Sequence, residues 1–124
     1  MAYDENNAQR IRTFLQYKEA DFFEKKMFGG IVFMVDNKMC CGTRLDKKLN
    51  ENLLLCIIDD EAYLDAIEKD DVLAMPNAEK PMKNYIFVTE NAWTKKQDLE
   101  FWLQQCLDFN PIAKASKKKN DIEK

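Results

Sequence analysis

Three kinds of side chain in this 124-residue chain have types and spacings that could do chemistry: four cysteines, a spaced set of lysines and a run of acids. The cysteines are Cys40, Cys41, Cys56 and Cys106, and no two stand in a CxxC spacing. Neighbours on a strand point to opposite faces, so Cys40 and Cys41 are expected to place one thiol inward and leave one partly exposed. That arrangement suits neither a shared zinc ion nor a vicinal disulfide, which is strained. The thiols read as reduced packing groups, and a redox role for the exposed one would require a lowered pKa. Residues 59–71 hold seven acids and one lysine. Their spacing matches no EF-hand loop, and a solvated helix explains them. The chain has no histidine, which removes Ser-His-Asp and Cys-His nucleophile systems, an imidazole base and any His-containing zinc site. No catalytic, cofactor-binding or metal-binding residues are assigned.

Lys25, Lys26, Lys38, Lys80 and Lys83 allow two readings. They form a basic surface for phosphate or an acidic partner, or they are solvated lysines that blunt sheet edges. On one strand Lys25 and Lys26 must point to opposite faces, which disfavours a single patch. Trp93 is expected to be free to stack or dock, whereas Trp102 lies on an apolar helix stripe. Gly29-Gly30 lacks the spacing of a phosphate cradle and leads into no helix, so a β-bulge is the expected use of the pair. The formal charge of −3 argues against bulk attraction to nucleic acid, although residues 111–124 carry five lysines against two acids.

The elements that must position these residues follow from periodicity. Asp4 caps a helix over about 5–19, with Ala8, Ile11, Leu15 and Lys18 on one stripe, Phe14 beside it, and Gln9, Arg12 and Gln16 on its polar face. Strands follow at 22–28, 30–36 and 38–43, the last two forming a hairpin around Asp36-Asn37, residue types that accept the positive φ of a tight turn. Polar residues 44–51 read as a connection, and the apolar run 52–58 as a central strand. A helix over 60–69 buries Tyr63, Leu64 and Ile67, and its first-turn acids suit the positive end of the dipole. Residues 72–75 read as a short edge strand stopped by Pro76, and 85–89 as another strand. Thr94 and Gln97 form a capping box for a helix at 95–109, which Pro111 ends. Residues 1–110 therefore make one domain, and 111–124 a basic tail expected to be disordered. The order α-β-β-β-β-α-β-β-α, with turns too short for parallel crossovers, gives an α+β fold: a mainly antiparallel sheet with helices packed against it. The start MAYDENN resembles no secretion signal and no apolar run reaches about 18 residues, so the cytoplasm is the expected compartment.

Three segments carry a family resemblance: KKMFGG from Lys25 to Gly30, NKMCCG from Asn37 to Gly42, and KPMKNYIFV from Lys80 to Val88. Together with the opening MAYDE they resemble the TfoX N-terminal (Sxy-like) domain. The chain departs from that pattern at Asn37 and Asn84, where glycine is usual, and at Lys80, where arginine is usual. Asparagine also tolerates the left-handed region, so the backbone there is expected to survive. Lysine at position 80 lacks the planar fork of arginine. The resemblance implies a secretion-chaperone-like α+β topology, with Gly29, Gly30, Gly42 and Asn84 as special backbone positions, and a link to regulators of competence genes. It leads to a non-enzymatic regulatory or adaptor domain, acting on an unidentified protein partner or on a second copy through a sheet edge near 72–75 or the hairpin. A nucleic-acid-binding regulator using the lysine segments and tail is the alternative. An RNA-modifying methyltransferase is weaker, since no Gly-rich strand-to-helix turn offers a cofactor site. No cofactor is expected.

Overall fold

The computed structural model describes residues 3–27, 29–74 and 84–112. Helix α1 (Glu5–Tyr17) precedes four strands, β1 (Phe22–Met27), β2 (Gly30–Val35), β3 (Lys38–Asp46) and β4 (Glu51–Ile57). Then come α2 (Asp60–Ala66), β5 (Val72–Ala74), β6 (Tyr85–Val88), a single 3-10 turn (Glu90–Ala92) and α3 (Lys96–Phe109). The six strands form one antiparallel sheet in the order β1-β2-β3-β4-β6-β5. The α+β expectation and its element order hold.

Local chemistry sets the boundaries. Asp4 caps α1 by accepting from the Asn6 amide at 2.8 Å. The helix closes at Lys18 because Glu19 turns left-handed (φ 59°), and the amides of Glu19 and Ala20 donate to Gln16 and Leu15. Asp59 caps α2 through the Ala62 amide. The β2–β3 turn has Asp36 and Asn37 both at positive φ, 53° and 67°, as a tight primed hairpin turn requires.

Both faces of the sheet are apolar. All three helices and Trp93 pack on one face with Ile31, Phe33, Val35, Leu54, Cys56, Ile86 and Val88. Val32, Met34, Met39, Leu53, Leu55, Ile57 and Phe87 form a second buried cluster, which Phe109 joins.

Four expectations need correction. Residues 44–46 extend β3 rather than opening a connection, and the turn occupies only 47–50. On α2 the inward residues are Ala62, Tyr63 and Ala66, while Leu64 and Ile67 are exposed, because the helix turns the face of its i, i+4 pair Ala62 and Ala66 to the core. The Thr94 hydroxyl donates to the Glu90 carbonyl at 2.6 Å, closing the 3-10 turn, so Lys95 takes the N-cap position of α3 without a side-chain cap and no capping box forms. The bulge lies at Cys40, not at Gly29-Gly30: Phe33 pairs with Cys41 and Met34 with Met39, leaving Cys40 unpaired.

Candidate interaction surface

Strand β1 is one edge of the sheet and β5 the other. The hairpin strands β2 and β3 have neighbours on both sides, so the hairpin offers no edge; the edge on that flank is β1. Its residues from Phe23 to Lys26 are all exposed. Phe22, Glu24 and Lys26 point to the helix face, where Phe22 meets Phe33 with ring centroids 6.0 Å apart. Phe23, Lys25 and Met27 point to the other face.

Glu24 is held by Arg12 of α1. The guanidinium donates Nε to Oε2 at 2.5 Å and Nη2 to Oε1 at 2.9 Å, a bidentate fork, and reaches Glu5 at 3.2 Å. This pairing, the Glu24 hydrogen bond above all, raises the arginine pKa still further. The clamp was not anticipated from the sequence; its only trace was Arg12 on the polar side of a helix.

Among the described residues, Lys25, Lys26 and Lys38 do not assemble into one patch. Lys25 and Lys26 sit on opposite faces of β1 and form no ion pair among the described residues. Lys38 is occupied: its ammonium donates to the carbonyls of Asn110 and Pro111, at 3.0 and 3.3 Å, where α3 ends. Cations suit that negative end of a helix. Lys80 and Lys83 lie outside the described residues, as do Phe28, residues 75–79, Pro81 and Met82, and the tail from 113 onward.

Trp93 is not a free surface aromatic. It is 1% exposed, donates its indole N–H to the Val88 carbonyl at 3.0 Å, and lies under the Arg10 guanidinium at 5.7 Å. The 3-10 turn, invisible to helix periodicity, folds it inward. Trp102, as expected, is also buried.

The glycines serve close approach. A Cβ on Gly30 would sit 2.3 Å from the Thr43 carbonyl and 2.5 Å from the Arg44 Cβ, and one on Gly42 would sit 2.4 Å from the Ile31 carbonyl. Gly29 and Asn84 have positive φ, 72° and 79°, and the Asn84 side-chain amide donates to Asp60 at 2.9 Å. Beside the glycines Arg44 pairs with Asp46 at 2.7 Å and lies 4.9 Å from the Phe87 ring centroid.

The bulge changes the thiol arrangement. Cys40 and Cys41 both turn to the helix side and both are buried, so neither is the half-exposed thiol expected. Cys41 pairs across the sheet with Cys56, and Cys106 of α3 lies in the same core cluster. A hydrogen bond with Cys40, and then burial, pushes the Cys41 thiol well up; burial and then Cys106 do the same for Cys56. Such thiols are poor nucleophiles. Among the described residues no group of three or more cysteines or acids is placed to hold a metal ion, and no helix is long and apolar enough to cross a membrane.

An antiparallel sheet with its helices on one face, a thiol-rich core beneath them and β1 as an edge strand defines an α+β domain. The TfoX N-terminal domain model matches residues 18–110, and the chain belongs to that family. No curated protein and no solved structure matches it.

Proposed function

We propose that this chain is a non-enzymatic regulatory or adaptor domain that acts by protein–protein contact, with β1 as the contact strand. The observation that carries the reading is the set of backbone groups along that edge that no strand of the described residues pairs. The Asp36 backbone amide donates to the Asp21 carbonyl at 3.1 Å, which makes those two a hydrogen-bonded pair continuous with the β1–β2 register. Antiparallel pairs alternate, so Phe22, Glu24 and Lys26 turn their N–H and C=O groups away from β2. An extended segment of a partner adds to such an edge as one more strand.

Proline at a position whose N–H already points outward removes a docking donor without breaking the sheet's own ladder. Lys26→Pro is therefore expected to keep the melting temperature near that of the wild type while losing partners cross-linked through β1. Equal recovery of the same partners with both proteins would remove β1 as the contact strand.

A further inference from the structure

We infer that β1 also pairs with itself: two copies join edge to edge, β1 against β1 in antiparallel sense, about a two-fold axis beside Lys25. This rests on the reading of β1 as the contact strand and names a second copy of the chain as an occupant.

The hydrogen-bonding pattern restricts how two copies can meet. Only Phe22, Glu24 and Lys26 present outward backbone groups, so these must face one another across the junction. A two-fold axis perpendicular to the sheet satisfies this and leaves the helices of both copies on one side. The side chains then choose the register, because opposite charges directly across a junction attract and like charges repel. With the axis at Glu24, the two Glu24 carboxylates face each other. With the axis at Lys26, the two ammonium groups do. An axis at Phe23 leaves only residues 22–24 of the strand in contact and sets Glu24 against Phe22.

The axis at Lys25 brings residues 23–27 of each copy together. Glu24 of each faces Lys26 of the other, and Phe23 of each faces Met27 of the other. Phe23 is 47% exposed in the single copy, and Lys26 has no ion-pair partner among the described residues. Pairing gives Phe23 the apolar side chain of Met27 and Lys26 the carboxylate of Glu24. Arg12 already holds Glu24 in place, so the acid is positioned before the second copy arrives. The one unfavourable contact is Lys25 opposite its own copy, on the face away from the helices. That repulsion makes the pair weaker than the strand could give and provides a diagnostic handle.

The test is sedimentation equilibrium of the full chain up to the order of 1 mM, with circular dichroism to establish that each variant is folded. The wild type is expected to dimerise. Lys26→Glu sets acid against Glu24 at two places and should weaken the dimer by at least ~10-fold, while Lys25→Gln removes the like-charge contact and should tighten it several-fold. Lys26→Glu mixed with Glu24→Lys should associate better than either variant alone. Under mild oxidation Lys25→Cys should form a dimer-linking disulfide, and Phe23→Cys should not. A wild-type monomer throughout, or a dimer indifferent to Lys26→Glu, overturns self-pairing. A monomer whose partner capture still depends on Lys26→Pro overturns self-pairing alone and leaves the contact-strand reading standing.

Discussion

Strands β1 and β3 sit two places apart in one sheet and obey the same alternation, yet they meet solvent in opposite ways. In β1 four consecutive residues, Phe23 to Lys26, are exposed; in β3 five consecutive residues, Met39 to Thr43, are buried. Alternation decides which side of the sheet a residue faces. Whether that side is wet depends on position: β3 has neighbours on both sides and apolar clusters above and below, and β1 has a neighbour on one side only. A lysine on such an edge is compatible with packing, whereas one at a β3 position between Met39 and Thr43 would have to leave water.

The comparison breaks hardest in the interior. Trp93→Ala removes a fully buried indole and its hydrogen bond to Val88. It should lower stability by about 3–5 kcal/mol, read by urea unfolding. Gly42→Ala should come next, at about 1–3 kcal/mol, because the added methyl meets backbone that cannot move aside. A neutral Gly42→Ala would mean that β2 and β3 lie farther apart than the close contact described.

Alkaline pH gives a smaller interior effect with a defined sign. Cys41 and Cys56 keep their protons more firmly when folded, while unfolded thiols ionise near about 8.5. Above that pH the folded state therefore binds more protons than the unfolded one. Their contribution to stability is complete below pH ~8 and is lost as pH rises through the folded values. Half-buried Tyr85, whose pKa burial raises, acts in the same sense at higher pH. Melting temperature should fall from pH 8 to 10, and a Cys41→Ala, Cys56→Ala double variant should flatten that fall. An unchanged slope would assign the effect elsewhere. The smallest effect belongs to the edge: Arg12→Ala should lower stability by no more than about 1 kcal/mol, because its partners remain partly hydrated.

Much of the fold was legible because it is local. Asp4, the Asp36-Asn37 turn, the apolar run of β4 and the α3 stripe each announce their element through side chains a few residues apart. Asn84 was legible through its tolerance of positive φ. What was missed depends on a single displaced residue or on distant partners. One extra residue at Cys40 shifts the phase of β3 and brings two thiols to one side, and nothing in the composition of that strand marks it. One 3-10 turn takes Trp93 from the surface to the core. The Arg12–Glu24 clamp joins a helix to a strand across a turn, and no period in the chain reports it.

The ammonium of Lys38 at the end of α3 bears on the order in which the domain can be completed during synthesis. Seventy-two residues separate Lys38 from Asn110. The β2–β3 hairpin needs only neighbouring residues and can form soon after it leaves the ribosome. Its turn gains the carbonyls that hold Lys38 only after the whole last helix has emerged. The final fastening of the first hairpin therefore cannot precede the synthesis of α3, and a translational pause within α3 would leave that corner of the sheet unfastened.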